Sequence, residues 1–364
     1  MASLLVVSLP FWTMLLMSVS ENGVLGAPLF PSMFVFGDSL VDSGNNNYLN
    51  SLAKANFEPY GIDFPDGPTG RFSNGETLID LLGEMVGLPY LPAFADITVK
   101  GNNISWGVNY ASAAAGILDE TGRRLGERIS FDQQVRNFET TLNQLKTIMD
   151  DKSLSQHLAN SLTMVNHGNN DYINNYLLPE LYATSFMYDP KDYAELLVER
   201  YKKHLLALHG LGLRKFLLGG LGPLGCIPNQ LSKGLAPPGQ CRVDANQIVD
   251  MFNVLLRSLV DQLNTEYHGS IFVYGNTYGA FSEILNNPNT YGFTVTDRAC
   301  CGIGRNQGQI SCLPMSTPCA NRDQYVFWDA FHPTQALNKV LARRAFNGPP
   351  SDCYPVNVRQ MALM

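Results

Sequence analysis

Residues 33–47 read MFVFGDSLVDSGNNN, and the start of this stretch decides the fold. Met33, Phe34, Val35 and Phe36, bounded by Pro31 and Gly37, are too few for a core helix and predict a short buried strand of a parallel sheet. The chain then turns at Gly37 and presents Asp38 and Ser39 beyond the carboxyl end of that strand, where open α/β sheets place their chemistry. Ser39 is therefore a candidate nucleophile. The commonest alternative for a serine in this position is to cap a following helix. To exceed that role, Ser39 needs a base, an orienting acid and donors for an oxyanion elsewhere in the chain.

The chain has 364 residues, 45% hydrophobic and 16% charged, enough to bury the core of one large α/β domain, and no linker divides it. The formal charge of -7 comes without any block of Lys and Arg, which argues against nucleic acid or an anionic membrane surface as the main partner. Residues 4–19 are continuously apolar apart from scattered Ser and Thr, and small residues follow at Ser18, Ser20, Gly26 and Ala27. This is the pattern of a signal peptide over about residues 1–26, cleaved after 20 or near 26, although its start lacks the usual Lys or Arg. The run is shorter than the roughly 20 residues a bilayer span needs, and no later segment reaches that length. A secreted, extracellular single domain over residues 27–364, without an integral membrane span, is expected.

Seven cysteines fit an oxidising compartment. Cys300, Cys301, Cys312 and Cys319 crowd into a Gly- and Pro-rich loop and read as disulfides; the adjacent Cys300 and Cys301, with no CxxC element, suit zinc poorly. Cys226 and Cys241 close another such loop and are expected to be joined, Cys353 is the candidate odd thiol, and the pairing of the crowded four stays open. The sequon Asn103-Ile104-Ser105 makes Asn103 a candidate glycosylation site.

Residues 51–74 are rich in Pro, Gly and Asp and predict an irregular surface excursion of the kind that walls a cleft. A helix is expected over 76–86, with Asn74 as its N-cap and Gly87 as its stop. A strand over 107–111 leads to a small-residue turn at 113–116, where backbone N–H groups can approach a ligand closely. Helical spacing follows over 130–150, 193–209 and 243–267, and apolar strand candidates over 162–167, 215–218 and 271–274. Such alternation implies right-handed crossovers and a mostly parallel sheet covered on both faces. Residues 220–225 spell GxGxxG with Asp244 downstream, but Pro223, Pro228, Pro237 and Pro238 deny the helix start that a dinucleotide needs. A Gly/Pro-rich loop pinned by Cys226 is the better reading.

Near the C-terminus, Asp329 stands three residues ahead of His332, and Pro333 disfavours helical geometry for His332, placing it on a rigid corner just before a helix. Pro333 suits the first position of that helix, whose apolar face is Ala336, Leu337, Val340, Leu341 and Ala345 and whose stop is Gly348 with Pro349. An acid so placed can hold one imidazole nitrogen while the other takes a proton from a serine. His157, His167, His204, His209 and His268 lack this arrangement, so His332 is the candidate base and Asp329 its partner. Asn170, beyond a different strand, would present its amide at the same sheet edge, and the backbone N–H groups of Ser39 and Ala113 would complete an oxyanion site.

The blocks FVFGDSLVDSGNNN, GVNYASAAAGIL, VNHGNNDY and VFWDAFHPT resemble, in order and spacing, the plant GDSL esterase/lipases of the SGNH-hydrolase superfamily, over about residues 33–347. The resemblance implies a three-layer α/β/α, flavodoxin-like domain with Ser39 as nucleophile and Asp329 and His332 as its partners. It also implies Asn170 and a backbone donor of the second block as oxyanion contacts. Many members carry Gly where this chain has Ala113; the N–H survives that change where φ is negative. No GxSxG elbow occurs. The expected function is hydrolysis of a small-molecule or lipid-like carboxylic ester without metal or organic cofactor. The alternatives are acyl transfer to a sugar or lipid hydroxyl at the same site, or a noncatalytic secreted binding protein on this fold. Hydrophobicity does not name the ester, because apolar residues in such a fold are mostly core.

Overall fold

The computed structural model describes residues 27–96 and 101–364, without the side chains of residues 101–103. The signal-peptide segment and the Asn103 side chain lie outside the described part. Five parallel strands form the centre: β1 (Met33–Gly37), β2 (Gly107–Asn109), β3 (Leu162–Asn166), β4 (Lys215–Gly219) and β5 (Ile271–Gly275). They lie in the order 2-1-3-4-5, with the short antiparallel strand Cys353–Tyr354 on the outer edge of β5. In this doubly wound order the chain reverses direction between β1 and β3, which opens a crevice beyond their carboxyl ends.

The strands are apolar throughout because both faces are covered. Phe34, Phe36, Val165, Phe216, Leu218 and Phe272 face a core shared with helices Phe131–Leu145, Pro190–Gly210 and Val243–Glu266. Met33, Val35, Met164, Leu217 and Val273 face the opposite core, under helices Leu78–Met85 and Val358–Met361 and the end of Gln335–Asn347. The protein is thus a three-layer α/β/α domain of the flavodoxin-like type.

Local chemistry shifts several boundaries from the sequence expectation. The cap of the helix Leu78–Met85 is Thr77, which forms a reciprocal capping box with Asp80. Asn74 instead accepts from the Gln335 N–H at 2.9 Å and donates to Asp63 at 2.8 Å. Pro333 precedes the cap Thr334 rather than opening the next helix, since the Thr334 hydroxyl takes the Leu337 N–H. The helix expected over 130–150 stops at Leu145, because Asp150 accepts from Lys152 and Ser153 N–H and starts a separate helix, Asp151–Asn160. Disulfides join Cys226 to Cys241, Cys300 to Cys319 and Cys301 to Cys312; Cys353 is free and buried.

The irregular loop after β2 is held by one buried carboxylate. Asp171 accepts from Ile117 N–H at 2.7 Å, Leu118 N–H at 3.0 Å and the Thr121 hydroxyl at 2.7 Å. Gly116 makes room for it, since an added Cβ would lie 2.6 Å from an Asp171 oxygen. Burial pushes the Asp171 carboxyl up to about 7, against the lowering effect of those donors. The unfolded carboxyl titrates near 4, so between about pH 4 and 7 the folded state holds a proton that the unfolded state has released. The contribution of Asp171 is therefore full below about pH 4 and is lost as pH rises towards 7. Urea unfolding from pH 4 to 7 should show stability falling more steeply with pH in the wild type than in Asp171→Asn. Equal slopes would refute this reading.

Candidate active site

Ser39 lies in the turn that leaves β1, after Asp38 N–H has bonded the Asn166 carbonyl at 3.2 Å. No helix starts there; the next helical residues are a short turn at Asn45–Tyr48, so Ser39 caps nothing. Its Oγ is 2.7 Å from His332 Nε2, and His332 Nδ1 is 2.8 Å from both oxygens of Asp329. An ionised carboxylate only accepts, so Nδ1 carries the proton and Nε2 is left to accept from the serine hydroxyl.

The turn holding Asp329 and His332 is closed on itself, with Trp328 N–H donating to the His332 carbonyl at 2.8 Å. It hangs from the strand Tyr325–Phe327, which pairs with Val295–Ala299. Cys300 N–H donates to the Phe327 carbonyl at 3.0 Å and Cys301 N–H to the Trp328 carbonyl at 2.7 Å. Both cysteines are in disulfides, so the bridged loop grips the backbone immediately before Asp329.

Asp329 is fully buried and accepts four donors: Phe331 N–H at 2.9 Å, His332 N–H at 2.8 Å, His332 Nδ1 and the Tyr60 hydroxyl at 2.5 Å. Burial alone would raise its carboxyl, but the His332 imidazole and these hydrogen bonds together outweigh burial and hold it below the usual range. Tyr60 is held well above its usual value, first by burial and then by the Asp329 charge, so it remains a donor. Tyr60 comes from the 51–74 excursion, together with Phe72, whose ring lies 4.9 Å from the His332 ring. Neither stands out in the sequence: a Gly/Pro-rich segment has no periodicity to mark which side chains point inward.

Asn170 sits in a one-turn helix after β3 and lines the cleft beside Ser39. Its amide donates to the Ala115 carbonyl at 3.0 Å and its oxygen accepts from Asn174 at 2.6 Å, which leaves one amide hydrogen for a ligand. Ala113 is a correction. Its N–H donates to the buried carboxylate of Asp42 at 3.2 Å, so that donor is already spent, and Ala113 does not line the cleft. Asp42 also accepts Gly44 and Asn45 N–H groups, and its claim on Ala113 is invisible in the sequence. His167, also buried, bonds Gln134 rather than an acid; desolvation pushes it down to about 3, so it stays neutral.

Apolar side chains make most of the remaining cleft wall, among them Leu40, Ile173, Leu224, Ile227, Phe281 and Phe331. The GxGxxG segment forms part of that wall through Gly220, Gly222, Pro223 and Leu224 and continues into a five-residue helix, Pro228–Ser232. Gly220 packs on the Tyr274 ring and Asp244 pairs with Arg242, which leaves no cradle for a pyrophosphate. Among the described residues, no cluster of His, Cys, Asp or Glu is arranged to hold a metal ion, and no helix is long and apolar enough to cross a membrane.

With this geometry in view, the profile of the family described as GDSL-like Lipase/Acylhydrolase matches residues 33–345. GDSL esterase/lipase At1g71250 of Arabidopsis thaliana is 60% identical over 341 residues, covering 94% of this chain and 91% of the relative. GDSL esterase/lipase At5g08460 is 56% identical, covering 97% and 93%, and GDSL esterase/lipase 7 is 49% identical, covering 93% of each; both are from the same plant. The chain belongs to the GDSL lipase/acylhydrolase family and is an ester hydrolase of the GDSL type.

Proposed function

We propose that Ser39, His332 and Asp329 perform this hydrolysis through an acyl-enzyme intermediate, in a protein that is secreted after removal of its first 20 to 26 residues. The observation that carries the reading is a single imidazole bonded at once to the Ser39 hydroxyl and to a buried carboxylate. As Ser39 Oγ attacks the ester carbonyl, His332 Nε2 takes its proton, and Asp329 stabilises the imidazolium that forms. The free Asn170 amide hydrogen and the Ser39 backbone N–H meet the developing oxyanion. His332 then gives the proton to the departing alcohol, and a water molecule repeats the sequence to release the acid. The apolar cleft wall receives an uncharged or lipid-like acyl group. Export is supported by the leader-like segment and by disulfides, which persist in oxidising compartments.

A serine-directed phosphonate should add once per chain, at Ser39, and Ser39→Ala should abolish hydrolysis. Addition at another serine, or undiminished turnover by the variant, refutes the assignment. Asn170→Ala, which also removes the buried bonds to Ala115 and Asn174, should melt lower and lose about a hundredfold in kcat per folded molecule. A normal kcat would leave the oxyanion to backbone donors. Tyr60→Phe takes one donor from Asp329, leaving a more basic carboxylate beside His332. The acid limb of kcat/KM should move to higher pH, with a loss of about tenfold in kcat/KM. A lower melting temperature with an unmoved limb would make Tyr60 a packing residue only.

A further inference from the structure

Gly37 is the last residue of β1 and the last fixed point of the sheet before Asp38 and Ser39. It offers only backbone to hold, because an added Cβ would lie 2.5 Å from the Val41 side chain and 2.8 Å from the Asn166 carbonyl. On the side of β2 its carbonyl accepts from Ser112 N–H at 3.0 Å. β2 itself stops at Asn109, opposite Val35, so the ladder of paired strands ends two residues short of Gly37.

A side chain completes the rung. Gln134, fully buried near the start of the helix Phe131–Leu145, accepts the Gly37 N–H through Oε1 at 2.9 Å and donates to the Gly37 carbonyl through Nε2 at 2.9 Å. A carboxamide carries the donor and the acceptor of a peptide group, so it can stand where a strand residue would. Its remaining capacity is also used: Nε2 donates to the Ile129 carbonyl at 3.0 Å, and Oε1 lies 3.2 Å from His167 Nε2. Both amide hydrogens are committed, so the proton of that last bond belongs to His167. Burial keeps His167 neutral, and its ring packs on Phe131 with centroids 4.3 Å apart. One amide thus grips both turns of the site, since Gly37 precedes Ser39 by two residues and His167 precedes Asn170 by three.

We infer that Gln134 is a positioning residue of the hydrolysis, which sets the Ser39 turn against the Asn170 turn without touching the substrate. The inference rests on the Ser39 reading above and adds to it a residue that does not line the cleft. Without Gln134, the buried N–H of Gly37 loses its acceptor and its carbonyl loses one of two donors, and a backbone group so deprived moves towards another partner. Only Asp38 separates Gly37 from Ser39, so that movement passes directly to the hydroxyl. Misplacing an attacking atom by about 1 Å costs about a hundredfold in rate.

The test compares turnover of a 4-nitrophenyl ester with the rate of phosphonate addition at Ser39, on the full chain and three variants. Gln134→Leu keeps much of the shape and none of the bonds. Gln134→Glu keeps acceptors for Gly37 and His167 but gives up at least one of the two donations. His167→Phe leaves every bond to Gly37 in place and removes only the donor to Oε1, so it tests the idea even if the other two fold poorly. Per folded molecule, kcat and kcat/KM should fall together, about a hundredfold in Gln134→Leu, about tenfold in Gln134→Glu and about threefold in His167→Phe. Phosphonate addition should slow by the same factors, because it needs the same attack by Ser39. A residue that only supports the fold would lower the melting temperature and leave both rates per folded molecule unchanged. That result in the variants that fold overturns the inference while leaving the serine hydrolase intact. A wild-type chain that takes no phosphonate at Ser39 overturns the nucleophile reading and this inference with it.

Discussion

A carboxylate removed from water must have its charge met by donors, and the fully buried Asp329 faces that demand at the heart of the site. Two of its donors are backbone groups of its own turn, and one is the imidazole it orients. The fourth comes from Tyr60, 269 positions away in sequence. One buried charge thus binds the excursion after β1 to the strap that carries His332. Other contacts reinforce the same junction: Arg322 forks onto Asp63, and Asn74 takes the Gln335 N–H at the start of the following helix. Without a charge to satisfy, a segment so rich in Gly and Pro would have little reason to hold one shape.

The same device recurs at the irregular segments around the cleft. Asp42 gathers backbone N–H groups from its own turn and from Ala113, and Asp171 gathers those of Ile117 and Leu118. Burial raises both carboxyls, Asp42 to about 6 and Asp171 to about 7, against the donors that lower them. Loops that no strand or helix ladder can stabilise are organised instead around acceptors with several lone pairs. These acceptors flank the sheet edge between β1 and β3, where Ser39 and Asn170 line one crevice.

The parallel strands are legible in the sequence because burial on both faces writes them as unbroken apolar runs. The Asp329 and His332 pair is legible because the two bonded residues lie within one turn. Tyr60 is not, since its role exists only through a contact across most of the chain. Ala113 misleads for a related reason: a backbone donor looks available in sequence until a distant acceptor claims it. Asn74 and Pro333 each satisfy a local rule for a helix start, but Thr77 with Asp80, and Thr334, are stronger caps than the residues preceding them. Asp150 likewise ends one helix by starting another, which periodicity alone does not separate.

Ser39 and His332 lie 293 residues apart, so their hydrogen bond encloses most of the polypeptide. Ser39 is made early in synthesis and His332 near the end, and the parallel strands must pair before the two can meet. Contacts of such sequence separation form late and slowly. A nascent chain, a partly folded chain or a fragment lacking the last strap therefore has Ser39 without its hydrogen bond to His332. With the roles proposed above, hydrolysis has to wait for the last strap to fold onto the sheet edge.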